Sequence, residues 1–457
     1  MRYEHRTTVD QPVSMVFDWH ERKGAFQRLM PQWEVAQLVY ADDDLSDGSI
    51  RKFRFPMGPV KMTWESEHLG YEPPNKFEDI MRRGPFRSWH HIHRFDRLDG
   101  RTVVTDQVDY RLPLGPLGRI FGGRMVSKRI QRMFKSREKR LIQDLDRHAE
   151  FAYLPRKRIL IAGSSGLIGT QLVAFLDTGG HDVWRLVRRE VGEGEKEIRW
   201  DPENGIIDKQ EIEGFDIIIH LGGVGIGDKR WSKKRKLAIK ESRLVSTRLL
   251  AETIASLDSK PESFMLASAI GWYGDRGDEE LTESSDIGDG FLPGICKEWE
   301  ASASLAREAG IRTIHLRSGI VLSAVGGALG RMLLPFKLGG GGPIGRGRQW
   351  MSWITLDDQV YAIHHLLMSK DSEGIYNLTA PNPVRQRDFA KNLGRVLRRP
   401  SFMPLPKFAI RMMFGEMGVK LTLDSQRVYP ERLLKQGYRF LHDNLEEGLR
   451  DALGMWK

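Results

Sequence analysis

Three glycines spaced for phosphate binding stand in the run Arg158-Ile-Leu-Ile-Ala-Gly163-Ser164-Ser165-Gly166-Leu167-Ile168-Gly169. Glycine lets a backbone turn tightly and approach an anion that a Cβ would hold off. The amides that open a following helix complement the negative charge. About 20 residues further on, where a residue reading an adenosine ribose belongs, an NAD site carries Asp or Glu. Here that place holds Arg188 and Arg189. Two guanidinium groups suit the 2′-phosphate of NADP; the alternative is a pair of plain surface arginines.

Other residues have the types needed to move protons. Cys296 and Glu300 are four apart after Pro293 and share a helix face. A thiol can give or take a proton, and a carboxylate can act as a base. The bland alternative for Cys296 is a small buried apolar residue. Ser268 ends the run Phe264-Met-Leu-Ala-Ser268, where its hydroxyl either holds a substrate oxygen or simply ends a strand. His90, His91 and His93, beside Trp89, invite a metal reading. His91 and His93 share one strand face, but two ligands are too few and no acid sits at ligand spacing along the chain, so no metal is expected. A single cysteine in 457 residues excludes a disulfide framework or a multi-cysteine metal centre.

These side chains need elements to place them. Residues 158–162 read as a buried strand, 171–176 as a helix closed by Gly179-Gly180, and 181–187 as a second strand. That is the strand–turn–helix–strand context a dinucleotide turn requires. Residues 215–221 read as the fourth strand, running into a small-residue turn of Leu221, Gly222 and Gly223 beside the cofactor. The expected cofactor-binding residues are therefore Gly163, Ser164, Ser165, Gly166, Leu167, Ile168, Gly169, Arg188, Arg189, Leu221, Gly222 and Gly223; the expected catalytic ones are Ser268, Cys296 and Glu300.

Before a boundary near residue 155 the pattern differs. Residues 3–9 alternate, helices are predicted over 13–19 and 25–29, and extended segments follow at 35–40, 49–55, 60–69, 76–81, 88–98 and 101–112. Between Arg119 and Arg140 basic residues interleave with Ile120, Phe121, Met125, Val126, Ile130, Met133 and Phe134 at helical spacing. This is a long helix with a basic outer face and a core-facing apolar one. No stacking aromatics or recognised motif accompany the charges, so no nucleic acid is expected.

Lys plus Arg is 71, Asp plus Glu 61, and the formal charge +10; 40% of residues are hydrophobic and 29% charged, which excludes a disordered chain. No secretory signal or bilayer-length apolar run is visible, and the chain reads as cytoplasmic and soluble.

The order Gly163–Gly169, Leu221–Gly223, Ser268, Tyr273-Gly274 resembles the extended short-chain dehydrogenase/reductase superfamily. The strings Arg230-Trp-Ser-Lys-Lys-Arg235, Ser242-Arg243, Cys296-Lys-Glu-Trp299-Glu300, Arg317-Ser-Gly-Ile-Val-Leu322 and Trp353-Ile-Thr-Leu-Asp357-Asp358 are similar to its NAD(P)-dependent epimerase/dehydratase-like "epimerase family" branch. Gln426-Arg-Val-Tyr-Pro430 resembles that branch's tail domain. The first 150 residues resemble, in element order, the helix-grip fold of START-like and polyketide-cyclase-like binders, which implies a hydrophobic ligand. The expected architecture is a Rossmann-type doubly wound parallel α/β sheet (157–380) with a small C-terminal tail region (381–457), preceded by an α+β helix-grip domain (1–153).

The superfamily's Tyr-x-x-x-Lys pair has one match here, Tyr153 and Lys157, which precedes the first cofactor strand. Residues 339–342, Pro343, Gly345 and Gly347, with Trp350 and Trp353, have the composition of a mobile lid; Arg346 and Arg348 there could meet an anionic substrate. The acidic loop 275–283 belongs at the same end of the sheet or is a solvated turn. Two functions stay open. One is an NADP-dependent oxidoreductase or epimerase with Cys296 or Glu300 as acid/base; the other is a non-catalytic NADP-binding sensor reporting to the helix-grip domain. A sugar nucleotide, a lipid-like ketone and an isoprenoid all fit as substrates.

Overall fold

The computed structural model describes every residue except Val35, Asp43, Gly58, Pro59, Glu193 and Lys457, and the backbone alone of Met57. The chain forms two compact units: residues 1–155 with 174–181, and residues 156–173 with 182–457.

In the first unit β1 (Arg2–Val9) leads into α1 (Val13–Glu21) and α2 (Gly24–Leu29). Then come β2 (Gln37–Ala41), β3 (Ile50–Met57), β4 (Val60–Glu72), β5 (Lys76–Arg83), β6 (Ser88–Leu98), β7 (Arg101–Arg111) and the long α3 (Gly115–Ala149). The predicted strand at 35–40 appears as β2; its first residue, Val35, lies outside the described residues. The sheet is antiparallel throughout, in the order β1-β7-β6-β5-β4-β3-β2. Asp99 and Gly100, both at positive φ, close the two-residue hairpin between β6 and β7, as a right-twisted pair of strands demands. Val9, Phe17, Trp19, Phe77, Phe95, Val104, Leu141 and Leu145 form one core, and Trp89, Val108, Tyr110, Ile130 and Phe134 another. One expectation fails at the start of α3: Ile120, Phe121 and Met125 are 72%, 84% and 71% exposed. The apolar face meets the core from Val126 and Ile130 onward.

The second unit opens with β8 (Arg158–Ala162), α4 (Leu167–Thr178, of which residues from 174 on group with the first unit), β9 (Asp182–Val187), β10 (Glu197–Asp201), β11 (Ile206–Ile207), α5 (Lys209–Ile212) and β12 (Ile217–His220). It continues with α6 (Lys233–Ala255), β13 (Ser263–Ala269), a 3₁₀ turn (Ile270–Tyr273), β14 (Glu280–Leu281), α7 (Phe291–Ala301), α8 (Ser304–Glu308) and β15 (Arg312–Ser318). Then follow β16 (Ile320–Leu322), α9 (Gly327–Lys337), β17 (Trp350–Met351), β18 (Trp353–Thr355), α10 (Leu356–Met368) and β19 (Gly374–Leu378). Last come β20 (Val384–Arg385), α11 (Gln386–Leu397), α12 (Lys407–Leu423), β21 (Arg427–Val428), α13 (Glu431–Lys435) and α14 (Leu445–Leu453). The main sheet runs β11-β10-β9-β8-β12-β13-β15-β19 and is parallel except at β11. It is a Rossmann-type sheet. Its strands are unbroken apolar runs, Ile159–Ile161 and Ile217–Ile219 at 0–1% exposure, because helices cover both faces. The strand order reverses between β8 and β12, and ligands of such sheets bind at the carboxyl ends of the strands there.

Residues of the tail do not close a core of their own: Phe389, Leu393, Leu445 and Leu449 share one with Leu322, Leu329, Phe336 and Trp353. Among the described residues no helix is long and apolar enough to cross a membrane.

Candidate functional site

The turn between β8 and α4 is shaped by what its glycines cannot spare. Gly163 has φ +80°, and a Cβ there would lie 2.6 Å from the Gly222 amide nitrogen. A Cβ on Gly169 would lie 2.2 Å from the Gly163 carbonyl. Gly166 differs, since its only neighbour within 4 Å would be that same carbonyl at 3.3 Å. It faces outward with the exposed Ser165, while Ser164 is buried beneath and Leu167 and Ile168 are half-buried as α4 begins. This is a cradle with its open side at a helix N-terminus, and it fits a pyrophosphate.

Across the switch point Leu221 donates to the Ala162 carbonyl (2.9 Å), so the small-residue loop lies beside the turn. The loop is held from below by residues that sequence reasoning gave no role. The Gly222 amide donates to His220 Nδ1 (3.2 Å), Val224 donates to Ser242 Oγ (3.1 Å), and Arg243 donates to the Val224 carbonyl (3.0 Å). A Cβ on Gly223 would lie 3.0 Å from the Arg243 guanidinium carbon. Burial pushes Arg243 down to about 10 and, with Arg243 nearby, His220 down to about 3. The Ser242-Arg243 string was the available signal, but only the fold shows that it supports this loop.

Arg188 and Arg189 both follow β9 and are exposed, yet they differ. Arg189 donates to Glu197 Oε1 (2.7 Å) on the neighbouring strand and to the Glu190 carbonyl (2.8 Å). Arg188 makes no hydrogen bond or ion pair among the described residues.

Ser268, Cys296 and Glu300 come together at the carboxyl end of β13, but in an arrangement the sequence did not suggest. Glu300 accepts from Arg317 through both oxygens (Nε to Oε1 2.8 Å, Nη2 to Oε2 2.9 Å), and Ser268 Oγ donates to Glu300 Oε1 (2.7 Å). Arg317 Nη1 also donates to the Tyr273 hydroxyl (3.2 Å), which donates to Asn377 Oδ1 (2.8 Å), and the guanidinium lies 3.8 Å over the Trp272 ring. The Cys296 thiol sits against the Ala269 carbonyl (3.7 Å). Burial, with Glu300 adding to it, pushes that thiol up to about 12, so it keeps its proton near neutrality. Burial likewise pushes the Tyr273 phenol up. The one proton of the Ser268 hydroxyl is committed inward, which leaves its lone pairs to accept from a ligand hydroxyl.

The acidic loop and the glycine-rich segment do meet. A cavity of about 590 Å³ is lined by Gly277, Asp278, Arg346, Arg348, Arg385 and Arg387 among others. Trp350 Nε1 donates to Asp278 (3.0 Å), and Arg385 pairs with Asp278 (2.7 Å) and stacks on Trp350. Arg346, Arg348 and Arg387 have no acidic partner among the described residues, so the lining favours an anion. The lid expectation needs correcting. Gly341 is packed against the Phe336 ring and Gly342 against the Met403 carbonyl. The segment is also pinned by Met403 N–H to Gly341 (3.1 Å) and Leu405 N–H to Pro343 (2.8 Å). Trp353 is fully buried, with Nε1 donating to the Asn382 carbonyl (3.1 Å); it is core, not a ligand contact.

Residues 159–379 match the model of the NAD dependent epimerase/dehydratase family, and Mb2239, an epimerase family protein of Mycobacterium bovis, is 38% identical over 291 residues, 64% of this chain and 96% of the relative. The chain belongs to the epimerase family. Residues 9–134 match the polyketide cyclase/dehydrase and lipid transport family, and residues 405–452 match DUF1731, a domain of unknown function. Among solved structures, the nucleoside-diphosphate sugar epimerase from Corynebacterium glutamicum aligns with this epimerase-family chain at TM-score 0.82 and 32% identity, covering 99% of this chain and 90% of that one. The human epimerase family protein SDR39U1 (isoform 2), solved with NADPH, aligns at TM-score 0.60 and 33% identity, covering 65% of this chain and 99% of that one. All three resemblances drawn from the sequence hold: the short-chain dehydrogenase-type epimerase family, its tail and the N-terminal helix-grip unit.

Proposed function

We propose that this chain is a cytoplasmic NADP(H)-dependent oxidoreductase of the epimerase type. Its substrate is a phosphate-bearing molecule with a free hydroxyl, and residues 1–153 add a binding unit for an apolar ligand. The observation that carries the reading is the buried chain Arg317–Glu300–Ser268 at the carboxyl edge of the sheet. An ion pair kept out of water is seldom better for stability than apolar residues of the same size. This one orients a single hydroxyl.

The residues proposed to hold the cofactor are Gly163 to Gly169 around the pyrophosphate, Leu221, Gly222 and Gly223 beside it, and Arg188 at the 2′-phosphate. Arg189 fixes the edge through Glu197. When bound, the cofactor supplies or accepts a hydride. Ser268 accepts a hydrogen bond from the substrate hydroxyl and positions it. Glu300 takes the Ser268 proton's hydrogen bond and, with Arg317, keeps that hydroxyl from rotating. Cys296, protonated near neutrality, shapes the wall and takes no part as a base. The arginines at 346, 348, 385 and 387 suit the phosphates of a nucleoside diphosphate sugar, the substrate class named for the Corynebacterium neighbour. The NADPH in the human neighbour agrees with Arg188.

The test is turnover of a panel of nucleoside diphosphate sugars with NADP⁺ bound, followed by nicotinamide absorbance and by sugar inversion. Ser268→Ala should cut the rate 10²- to 10⁴-fold, the usual cost of a lost positioned group, with NADPH affinity within a few-fold. A Ser268→Ala rate equal to wild type sinks the reading.

Glu300's saturation by Arg317 favours a second reading, a non-catalytic NADP-binding sensor. It predicts no turnover with any member of the panel and a cofactor-dependent affinity change in residues 1–153 of about 1–3 kcal/mol.

A further inference from the structure

The first unit contains a polar cluster unrelated to the nucleotide turn. Along the chain His91 and His93 looked like two ligands without a third. The sheet register supplies what the sequence spacing lacks. His91 pairs directly with Asp79 on β5, and His93 pairs directly with Asp106 on β7, so all four side chains share one face of three adjacent strands. His90 points to the other face, with Nε2 bonded to Glu78 (2.6 Å). Asp79, His91 and His93 are the one grouping among the described residues in which three or more His, Cys, Asp or Glu bring ligand atoms within 4.8 Å of one another.

We propose that Asp79, His91 and His93 form a binding site for one divalent transition-metal ion, with Asp106 orienting the His91 imidazole by a hydrogen bond and standing behind that of His93. The distances have the right pattern. Asp79 Oδ2 lies 3.1 Å from His91 Nδ1 and 3.6 Å from His93 Nε2. Ligands at zinc distances of about 2.0–2.2 Å around a tetrahedron are separated by about 3.4 Å. The opposite nitrogens of the same rings, His91 Nε2 and His93 Nδ1, each lie 2.9 Å from Asp106 Oδ1, the first as a hydrogen bond and the second as a close contact without hydrogen-bond alignment. A carboxylate on the far nitrogen of a ligating histidine is what fixes its tautomer and ring plane in metal sites. One acid thus faces the position of the ion, and the other backs the two rings.

Burial points the same way. The side chains of His91, His93, Asp79 and Asp106 are 3%, 9%, 17% and 13% exposed. No Lys or Arg pairs with either carboxylate within ion-pair distance among the described residues. The nearest cations, Arg137 beside both carboxylates and Arg51 beside Asp79, stay beyond ion-pair distance, so the carboxylate oxygens are left to the imidazoles and an ion. The rings are also packed for precision, His93 stacked on Phe77 (4.2 Å) and His91 edge-on to Phe134 (5.4 Å). Two imidazoles and one carboxylate suit zinc or ferrous iron rather than magnesium or calcium, and they leave a coordination position open.

The experiment is a calorimetric titration of the full, chelator-stripped chain with Zn²⁺ alone, with Co²⁺ visible spectroscopy as a second probe. We expect one ion per chain, and Co²⁺ d–d bands that Zn²⁺ abolishes. His93→Ala and Asp79→Asn should weaken binding at least about 100-fold, and Asp106→Asn about 10- to 100-fold, while His90→Ala changes nothing. Circular dichroism and a cooperative urea transition show that each variant is folded; His91→Gln, a near-isosteric change, serves if His93→Ala is not. Absence of stoichiometric uptake, or uptake that His91→Gln and Asp79→Asn leave at wild-type affinity, overturns the proposal.

Discussion

Arg317 and Glu300, at 1% and 9% side-chain exposure, hold each other in the interior, and neither tolerates the other's loss. Arg317→Met strands a buried carboxylate and should cost about 3–5 kcal/mol in urea unfolding. Adding Glu300→Leu should recover most of it, because a matched apolar pair needs no counter-charge; equal costs for single and double variants would contradict this. The two arginines after β9 separate in the same way. Arg188 is unengaged and Arg189 is tied to Glu197. Arg188→Ala should therefore lower NADPH affinity about tenfold, about 1.4 kcal/mol, and leave NADH alone. Arg189→Ala should do less. The opposite ranking in calorimetry would move the phosphate contact to Arg189.

At the level of elements, the β8–α4 turn divides its glycines by task. Gly166→Val points into the open side and should abolish cofactor binding with circular dichroism unchanged. Gly169→Val drives a side chain into the Gly163 carbonyl and should cost the fold itself. Retained binding in Gly166→Val would place the pyrophosphate elsewhere. At the end of β12, His220 is neutral in the fold, pushed to about 3, and near 6.5 when unfolded. The unfolded chain therefore binds a proton that the folded chain refuses. The stability of this site is complete above pH 6.5 and declines as pH falls toward 3, by up to about 1.4 kcal/mol per pH unit. Between pH 6.5 and 5 the urea-measured gap between wild type and His220→Gln should narrow by about 2 kcal/mol; a gap independent of pH would refute it. The nucleotide turn was readable because its strand, glycines and helix are consecutive in sequence. The Asp79–His91–His93–Asp106 cluster was not, since its acids arrive through strand pairing. Nor was the Arg317–Glu300 pair, whose members stand on different elements. Residues 339–347 misled because glycine serves close packing as well as mobility, and only neighbours such as Phe336 and Met403 tell the two apart.

For the molecule as a whole, Mb2239 is covered over 96% of its length by 64% of this chain, so the family's nucleotide part occurs without a helix-grip unit. Residues 156–457 should accordingly bind NADPH within a few-fold of the full chain in calorimetry. A loss beyond tenfold would show that residues 1–155 contribute to that affinity. The balance of two units was legible from the change of pattern near residue 155. The sharing of one core by the tail and residues 322–353 was not, because side-chain interdigitation leaves no mark in local periodicity.

Cys296 is the one cysteine in 457 residues, 4% exposed and next to Ser268's partner. The chain therefore carries a native single-site reporter that needs no engineering. A thiol reagent can reach Cys296 only when α7 lifts, so the ratio of its labelling rate to that of an unfolded peptide gives the opening free energy of that corner. Measured against ligand concentration, that clock reads occupancy of the site without any assay for turnover.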